Sequence, residues 1–236
     1  MKVGDGLLRN EIKYLLSYKD YVLLSRRIAS VLTPDKHSVS EEGYRITSLY
    51  LDDMYNSSYY EKLSGDSNRK KYRLRAYNYD PSIISLECKE KKQSKIQKTS
   101  HRINKDVFDS VKEGVFDPLN DYDNELFRNV FLLNREKKLG PCVTVDYVRE
   151  AYVHPLSNTR ITFDKELAVG INKNDFFSEE YRSAFVFPNK EVILEVKFDE
   201  YLPKMISQML SIGYMPMAAS KFVLCLEYLK KNSIII

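Results

Sequence analysis

Along much of this chain apolar and polar residues alternate with a period of two, as in strands that turn one face from water. Such runs cover about Arg9 to Leu16, Gly43 to Leu51, Lys70 to Tyr77, Ser82 to Lys91, Lys95 to Asn104, Pro141 to Val153, Thr159 to Lys165 and Lys190 to Phe198. Helical spacing replaces alternation elsewhere. Tyr21, Leu24, Ile28 and Val31 predict a helix from Tyr18 to Leu32, stopped by Pro34. Shorter helical stretches follow at Asn56 to Leu63, Asp106 to Gly114 and Asp121 to Lys137, and two more close the chain at Tyr201 to Ser211 and Ala219 to Lys230. Asn and Asp stand near two of these starts, where their side chains can cap free N–H groups. Tyr79-Asp80-Pro81 and His154 to Asn158 are turn signals. Strands joined by short turns pair antiparallel, so the class is α+β, with residues 1–236 read as one domain.

The polar members of these strands are largely charged. Residues i and i+2 share a face. That places Arg9, Glu11 and Lys13 together, and likewise Lys71, Arg73 and Arg75; Glu87, Lys89 and Lys91; Tyr147 and Arg149; Arg160, Thr162 and Asp164; and Glu195 and Lys197. One such strand is ordinarily a solvated sheet face. Six of them, cationic with single carboxylates interspersed, fit better with an antiparallel eight-stranded β-barrel whose polar, cationic interior is wrapped by helices. Such an interior repels itself unless a polyanion and a metal compensate it. Arg offers bidentate contacts to phosphate oxygens and Lys a point charge.

Composition narrows the field. The net charge is only +4, small for a nucleic-acid binder, and few aromatics share the cationic faces, so no nucleic-acid partner is expected. Cys88, Cys142 and Cys225 lack C-x-x-C spacing, which argues against zinc and disulfides and suits a reducing cytoplasm. Residues 1–5 lack the apolar run of a signal peptide, and no segment has the ~18 apolar residues of a membrane span. A P-loop motif and H-E-x-x-H are both missing. His37, His101 and His154 read as surface or turn residues, and Asp52-Asp53 as a strand-end turn rather than a metal site.

Arg9-Asn10-Glu11-Ile12-Lys13-Tyr14 is similar to the N-terminal E-x-E-x-K signature of triphosphate tunnel metalloenzymes. The chain more closely resembles the polyphosphate polymerase domain of the vacuolar transporter chaperone (VTC) family and its bacterial relatives. The stretches that carry this, in family order, are Ser48 to Asp52, Tyr72 to Tyr77, Leu86 to Lys89, Tyr147 to Arg149, Thr159 to Asp164, Leu194 to Lys197 and Ser220 to Phe222.

The resemblance implies an eight-stranded tunnel that transfers the γ-phosphoryl group of ATP to a growing polyphosphate chain with manganese or magnesium. Lys13, Arg73, Arg75, Lys89, Arg149, Arg160 and Lys221 fall on the family's phosphate ligands. Arg9, Lys98, Tyr147, Lys197 and Ser220 are further expected contacts, with Lys95 competing with Lys98 for one position. Glu195 matches the metal carboxylate, with Glu11 and Glu87 as helpers. Arg9 replaces the first Glu of the general signature, and Ala218 stands where the fungal polymerase has Lys. ATP and polyphosphate are the expected partners. A cytoplasmic location, with a separately encoded membrane protein nearby, is the corresponding expectation. Two other readings stay open: a tunnel triphosphatase using water, and a non-catalytic polyphosphate or inositol-phosphate binding module.

Overall fold

The protein is described here from a computed structural model, which covers residues 10–36, 42–93, 95–155, 157–171, 176–178, 183–211, 213–218 and 220–234. Arg9 and His37 lie outside them. Eight long strands correspond to the eight alternating runs. In chain order they are β1 (Asn10–Leu16), β3 (Tyr44–Asp52), β4 (Asn68–Tyr77), β5 (Asp80–Lys92), β6 (Lys95–Ile103), β7 (Gly140–Val153), β8 (Arg160–Gly170) and β10 (Val192–Phe198). Three short pieces without a legible period join them: β2 (Thr33–Pro34) on β7, β9 (Ser183–Phe185) on β8 and β11 (Met215–Pro216) on β1. The helices are α1 (Tyr18–Ala29), α2 (Ser57–Leu63), α3 (Lys105–Lys112), α4 (Glu125–Lys137), α5 (Lys204–Leu210) and α6 (Lys221–Lys231).

Several boundaries move inward from the sequence expectation for local reasons. The α1 helix stops at Ala29, because Thr33 and Pro34 are drawn into pairing with Val153 and Tyr152. The stretch expected to be helical from Asp121 starts at Glu125, where Asn124 accepts from the backbone N–H of Leu126 (2.9 Å) and Phe127 (3.3 Å). Pro203 sets the start of α5. Ser220 caps α6, accepting from Val223 N–H at 3.4 Å.

All pairings are antiparallel, in the order β1-β10-β8-β7-β3-β4-β5-β6. Among the described residues the outermost long strands, β6 and β1, form no ladder with each other. The sheet nevertheless curls until Lys89 of β5 reaches Glu11 of β1, Nζ to Oε2 3.2 Å. The seam is thus spanned by an ion pair between side chains.

Register puts the charged residues in one continuous band on the concave face. Glu11 opposes Lys197, which opposes Arg160; Lys13 opposes Glu195, which opposes Thr162; Arg149 opposes Asp164. Farther round, Ser48 opposes Arg75, Tyr50 opposes Arg73, Arg73 opposes Glu87, and Lys71, Lys89 and Lys98 lie side by side. A bulge in β8 at Glu166, whose φ is 54°, shifts the register so that both Asp164 and Leu167 face inward. Gly43 (φ 96°) enters β3 where a Cβ would lie 2.2 Å from the carbonyl oxygen of Arg149, so only glycine lets β3 approach β7 there.

The opposite face is apolar and covered by helices. α3 and α4 bury Leu74, Leu86 and Ile84 beneath Phe108, Phe127 and Val130, and α1 and α5 bury Leu194, Val196 and Phe163 beneath Leu24, Ile28 and Ile206. The sixth helix goes elsewhere: α6 packs Phe222, Val223, Cys225 and Leu226 against Tyr50, Val143, Val145, Tyr147 and Val169, within the concave side. It fills part of the tunnel with apolar side chains and brings its N-terminus to the charged band.

Candidate functional site: a cationic tunnel

Four ion-pair groups line the concave face. At the seam, Lys13 lies 2.8 Å from Glu11 and 3.3 Å from Glu195, while Lys197 lies 2.7 Å from Glu195 and 3.8 Å from Glu11. On β4 and β5, the guanidinium of Arg73 donates to Glu87 (2.6 and 2.8 Å) and to the Tyr50 hydroxyl (2.9 Å). Arg75 donates to Ser48 (3.1 Å) and Tyr147 (3.3 Å), and Lys98 holds the other oxygen of Glu87 at 2.9 Å. On β7 and β8, Arg149 makes a bidentate pair with Asp164 (2.7 and 2.8 Å), and Lys221 of α6 meets the same carboxylate from above the Tyr147 ring. At the start of β8, Arg160 bonds Asp35 (2.7 Å) and the Tyr44 hydroxyl (3.0 Å).

Cations outnumber carboxylates in this band, and the titration behaviour shows it. Burial and the nearby Glu195 push the Glu11 carboxyl up, but Lys13, Lys89 and Lys197 outweigh them and hold it down at about 2. Burial also opposes ionisation of Glu195 and Asp164, yet the surrounding cations keep both below the usual carboxylate range. Burial raises the Tyr50 hydroxyl, but Arg73 and Arg75 overcome it and make the phenol more acidic than usual. Two lysines show the surplus directly. Burial, then Arg69 and Lys62, lowers Lys71 to about 7. Burial lowers Lys89 to about 8 against the pull of Glu11, with Lys13 and Lys197 adding to the fall. Lys71 forms no ion pair among the described residues; it donates to Ser220 Oγ (3.3 Å) and sits 4.5 Å from the centre of the Phe222 ring.

Among the described residues, two buried polar atoms on this face, Arg160 Nε and Thr162 Oγ1, have no hydrogen-bond partner. Buried polar groups are normally satisfied, so such a pair marks a place where a ligand can supply the partner.

The predicted site residues therefore converge. Lys13, Arg73, Arg75, Lys89, Arg149, Arg160, Lys221, Lys98, Tyr147, Lys197 and Ser220 all belong to the band. Of the expected metal carboxylates, Glu11 and Glu195 share Lys13, whereas Glu87 belongs to the separate group around Arg73 and Arg75. Among the described residues no three His, Cys, Asp or Glu side chains are placed to hold an ion by themselves. Glu195 and Glu11 still offer the oxygen donors that a hard divalent cation takes.

Sequence reasoning gave no role to Asp164, Lys71, Tyr50 or Asp35. Asp164 and Lys71 had a signal, since each shares its strand face with assigned residues; Tyr50 and Asp35 had none until the strands were brought together. His101 lies on the outer face, edge-on to Phe127 with ring centroids 5.9 Å apart, away from the charged band. Asp52 has the turn role expected of it, accepting from the backbone N–H of Asp53, Ser58 and Tyr59 at 2.9–3.2 Å. Cys225 is fully buried, and burial raises its thiol well above the usual range, as befits an inert core residue.

The VTC domain model matches residues 8–230, nearly the whole chain. The chain belongs to the VTC domain family. No curated protein matches it. Among solved structures, it resembles HpAC1 of Hippeastrum, a protein named for adenylyl cyclase and described as having a dominant triphosphatase activity. Identity is 15%, 97% of each chain is covered and the TM-score is 0.55. A protein of Bacillus halodurans named for adenylate cyclase is 14% identical over 98% of this VTC domain and 93% of its own chain, with a TM-score of 0.48. At these identities the first likeness shows a shared fold. Among the described residues of the VTC domain no helix is long and apolar enough to cross a membrane.

Proposed function

We propose that this VTC domain is a metal-dependent enzyme that binds a linear triphosphate or polyphosphate along its concave face and breaks the terminal phosphoanhydride bond. The observation that carries this reading is the unbalanced row Lys71, Lys89 and Lys98 beside Arg73 and Arg75. Those five cations meet only Glu87 and Glu11, and Lys71 meets no carboxylate, among the described residues. Phosphoryl transfer asks mainly for positioning and for neutralisation of charge on the transferring group. Arg73, Arg75, Arg149 and Arg160 would grip phosphate oxygens, and Lys13, Lys89 and Lys221 would complete the clamp. Manganese or magnesium, held by Glu195 with Glu11, would supply Lewis-acid neutralisation of the phosphate oxygens.

Family membership supports the reading in which ATP is the donor and the end of a polyphosphate chain is the acceptor. That acceptor oxygen is already largely ionised, so no strong general base is required. A second reading, in which water is the acceptor, is supported by the triphosphatase activity described for the Hippeastrum protein. The two are separated by incubating the domain with ATP and manganese and following products by phosphorus-31 NMR. Growth of internal polyphosphate signals with ADP release supports the polymerase. Orthophosphate without polymer supports the triphosphatase. Intact ATP with a raised melting temperature in polyphosphate would reduce the tunnel to a binding module.

A further inference from the structure

The inward-facing row does not stop at Lys71 and Lys89. Two residues on, Arg69 of β4 opposes Lys91 of β5, on the same face. Lys62, in the last turn of α2, adds a third cation: burial depresses its ammonium, and Arg69, Lys13 and Lys91 depress it further by repulsion. The α2 helix is tied to β4 next to Arg69, where Ser58 Oγ donates to the Lys70 carbonyl at 3.2 Å. All three cations are half-buried, and none forms an ion pair among the described residues. Among the described residues Arg69 donates only to the carbonyl of Asp66. By contrast, the outward-facing Lys70 and Lys92 on the same strands share Glu90, at 3.5 and 3.3 Å. Among the described residues, the outer lysines here share a carboxylate, whereas Lys62, Arg69 and Lys91 meet none.

We infer that Lys62, Arg69 and Lys91 form a second anion subsite, which holds the part of a long polyphosphate chain that extends beyond the phosphates gripped by the tunnel. The inference rests on the reading of the tunnel as a polyphosphate site and adds a preference for chain length. Side chains on one face of a strand recur every ~7 Å. The succession Arg75, Arg73, Lys71, Arg69 therefore forms a track that a flexible linear polyanion can follow without a break. A triphosphate fills the inner part of such a track and leaves the outer three cations unused. A long chain reaches them and gains affinity through their added charge.

The test compares binding of tripolyphosphate and of a long-chain inorganic polyphosphate to the wild-type domain and to the combined variant Lys62→Gln, Arg69→Gln and Lys91→Gln, at several salt concentrations. Calorimetry reads the affinities. Each lost phosphate contact removes about 0.7 from the slope of log affinity against log salt, by analogy with single-stranded polyanions, so the slope for the long chain should fall by about 2. Its affinity should fall at least tenfold, with that for tripolyphosphate within twofold of wild type. The single variant Lys91→Gln should give about one third of the slope change with an unaltered melting temperature, which guards against a folding defect in the combined variant.

Equal losses for both ligands, or none for the long chain, would overturn the second subsite and leave the tunnel reading standing. A wild-type domain that binds neither ligand would overturn the tunnel reading itself. A single-stranded oligonucleotide that binds as tightly as the long chain at the same salt, and loses as much in the variant, would reassign the three cations to nucleic acid.

Discussion

Asp164 offers the sharpest test of how the tunnel is balanced. Its carboxylate is completely buried and holds two cations at once, the bidentate guanidinium of Arg149 and the ammonium of Lys221. Asp164→Asn keeps the shape but removes the charge, and leaves Arg149 and Lys221 facing a neutral amide. Breaking a buried pair from one side costs about 3–5 kcal/mol. For a chain of this size each kcal/mol lowers Tm by about 2–4 °C, so the variant should melt roughly 6–20 °C below wild type without ligand. The same logic requires rescue, because a bound phosphate supplies the missing anion. Tripolyphosphate at about 100 times its Kd should stabilise wild type by about 2.7 kcal/mol and the variant by more, since its affinity for the variant should be higher. Thermal melting with and without tripolyphosphate measures both. A variant that melts within 2 °C of wild type, or gains less from tripolyphosphate than wild type does, would refute Asp164 as the internal stand-in for phosphate.

Other outcomes follow from the same geometry. Charge reversal at Arg75, which lies between Ser48, Tyr147 and Glu87, should lower turnover of the triphosphate by at least ~100-fold, worth about 2.7 kcal/mol; unchanged turnover would remove it from the clamp. Lys71 and Lys89 ionise lower in the fold than in the unfolded chain, so unfolding takes up protons between pH ~7 and ~10.4 and the ligand-free domain should become more stable as pH rises through that window. A bound polyanion restores their charge, so binding should take up protons and weaken from pH 7 to 9, as calorimetry in buffers of different ionisation enthalpy would show. Glu195→Gln should weaken manganese binding in the presence of tripolyphosphate, read by electron paramagnetic resonance, and an unchanged manganese signal would exclude it as a ligand. Gly43→Ala should destabilise the fold by more than the ~1 kcal/mol of an ordinary glycine change, since its Cβ would collide with the Arg149 carbonyl; chemical denaturation would measure it.

The alternation of side chains determined a great deal by itself. A strand has only two faces, so eight alternating runs were enough to show that Arg73, Arg75, Lys89, Arg149, Arg160 and Glu195 lie on the side opposite the apolar residues. The cap at Asn104 had a similarly local cause, whereas Asn124, inside the helix expected from Asp121, emerged as a cap only in the fold. Resemblance to the family then marked which charges to watch.

What local pattern could not supply was pairing across distance. Glu11 meets Lys89, Asp164 meets Lys221 and Lys71 meets Ser220 only because the sheet curls and α6 folds into its concave side. The apolar stripe of α6 would have suited the outer surface equally well, and hydrophobic burial is not directional. The surplus of cations is likewise a tertiary fact. A chain with net charge +4 shows little imbalance, and only curling gathers the surplus cations into one space. There the reduced dielectric turns a modest excess of charge into depressed lysine ionisation and a strong demand for an anion.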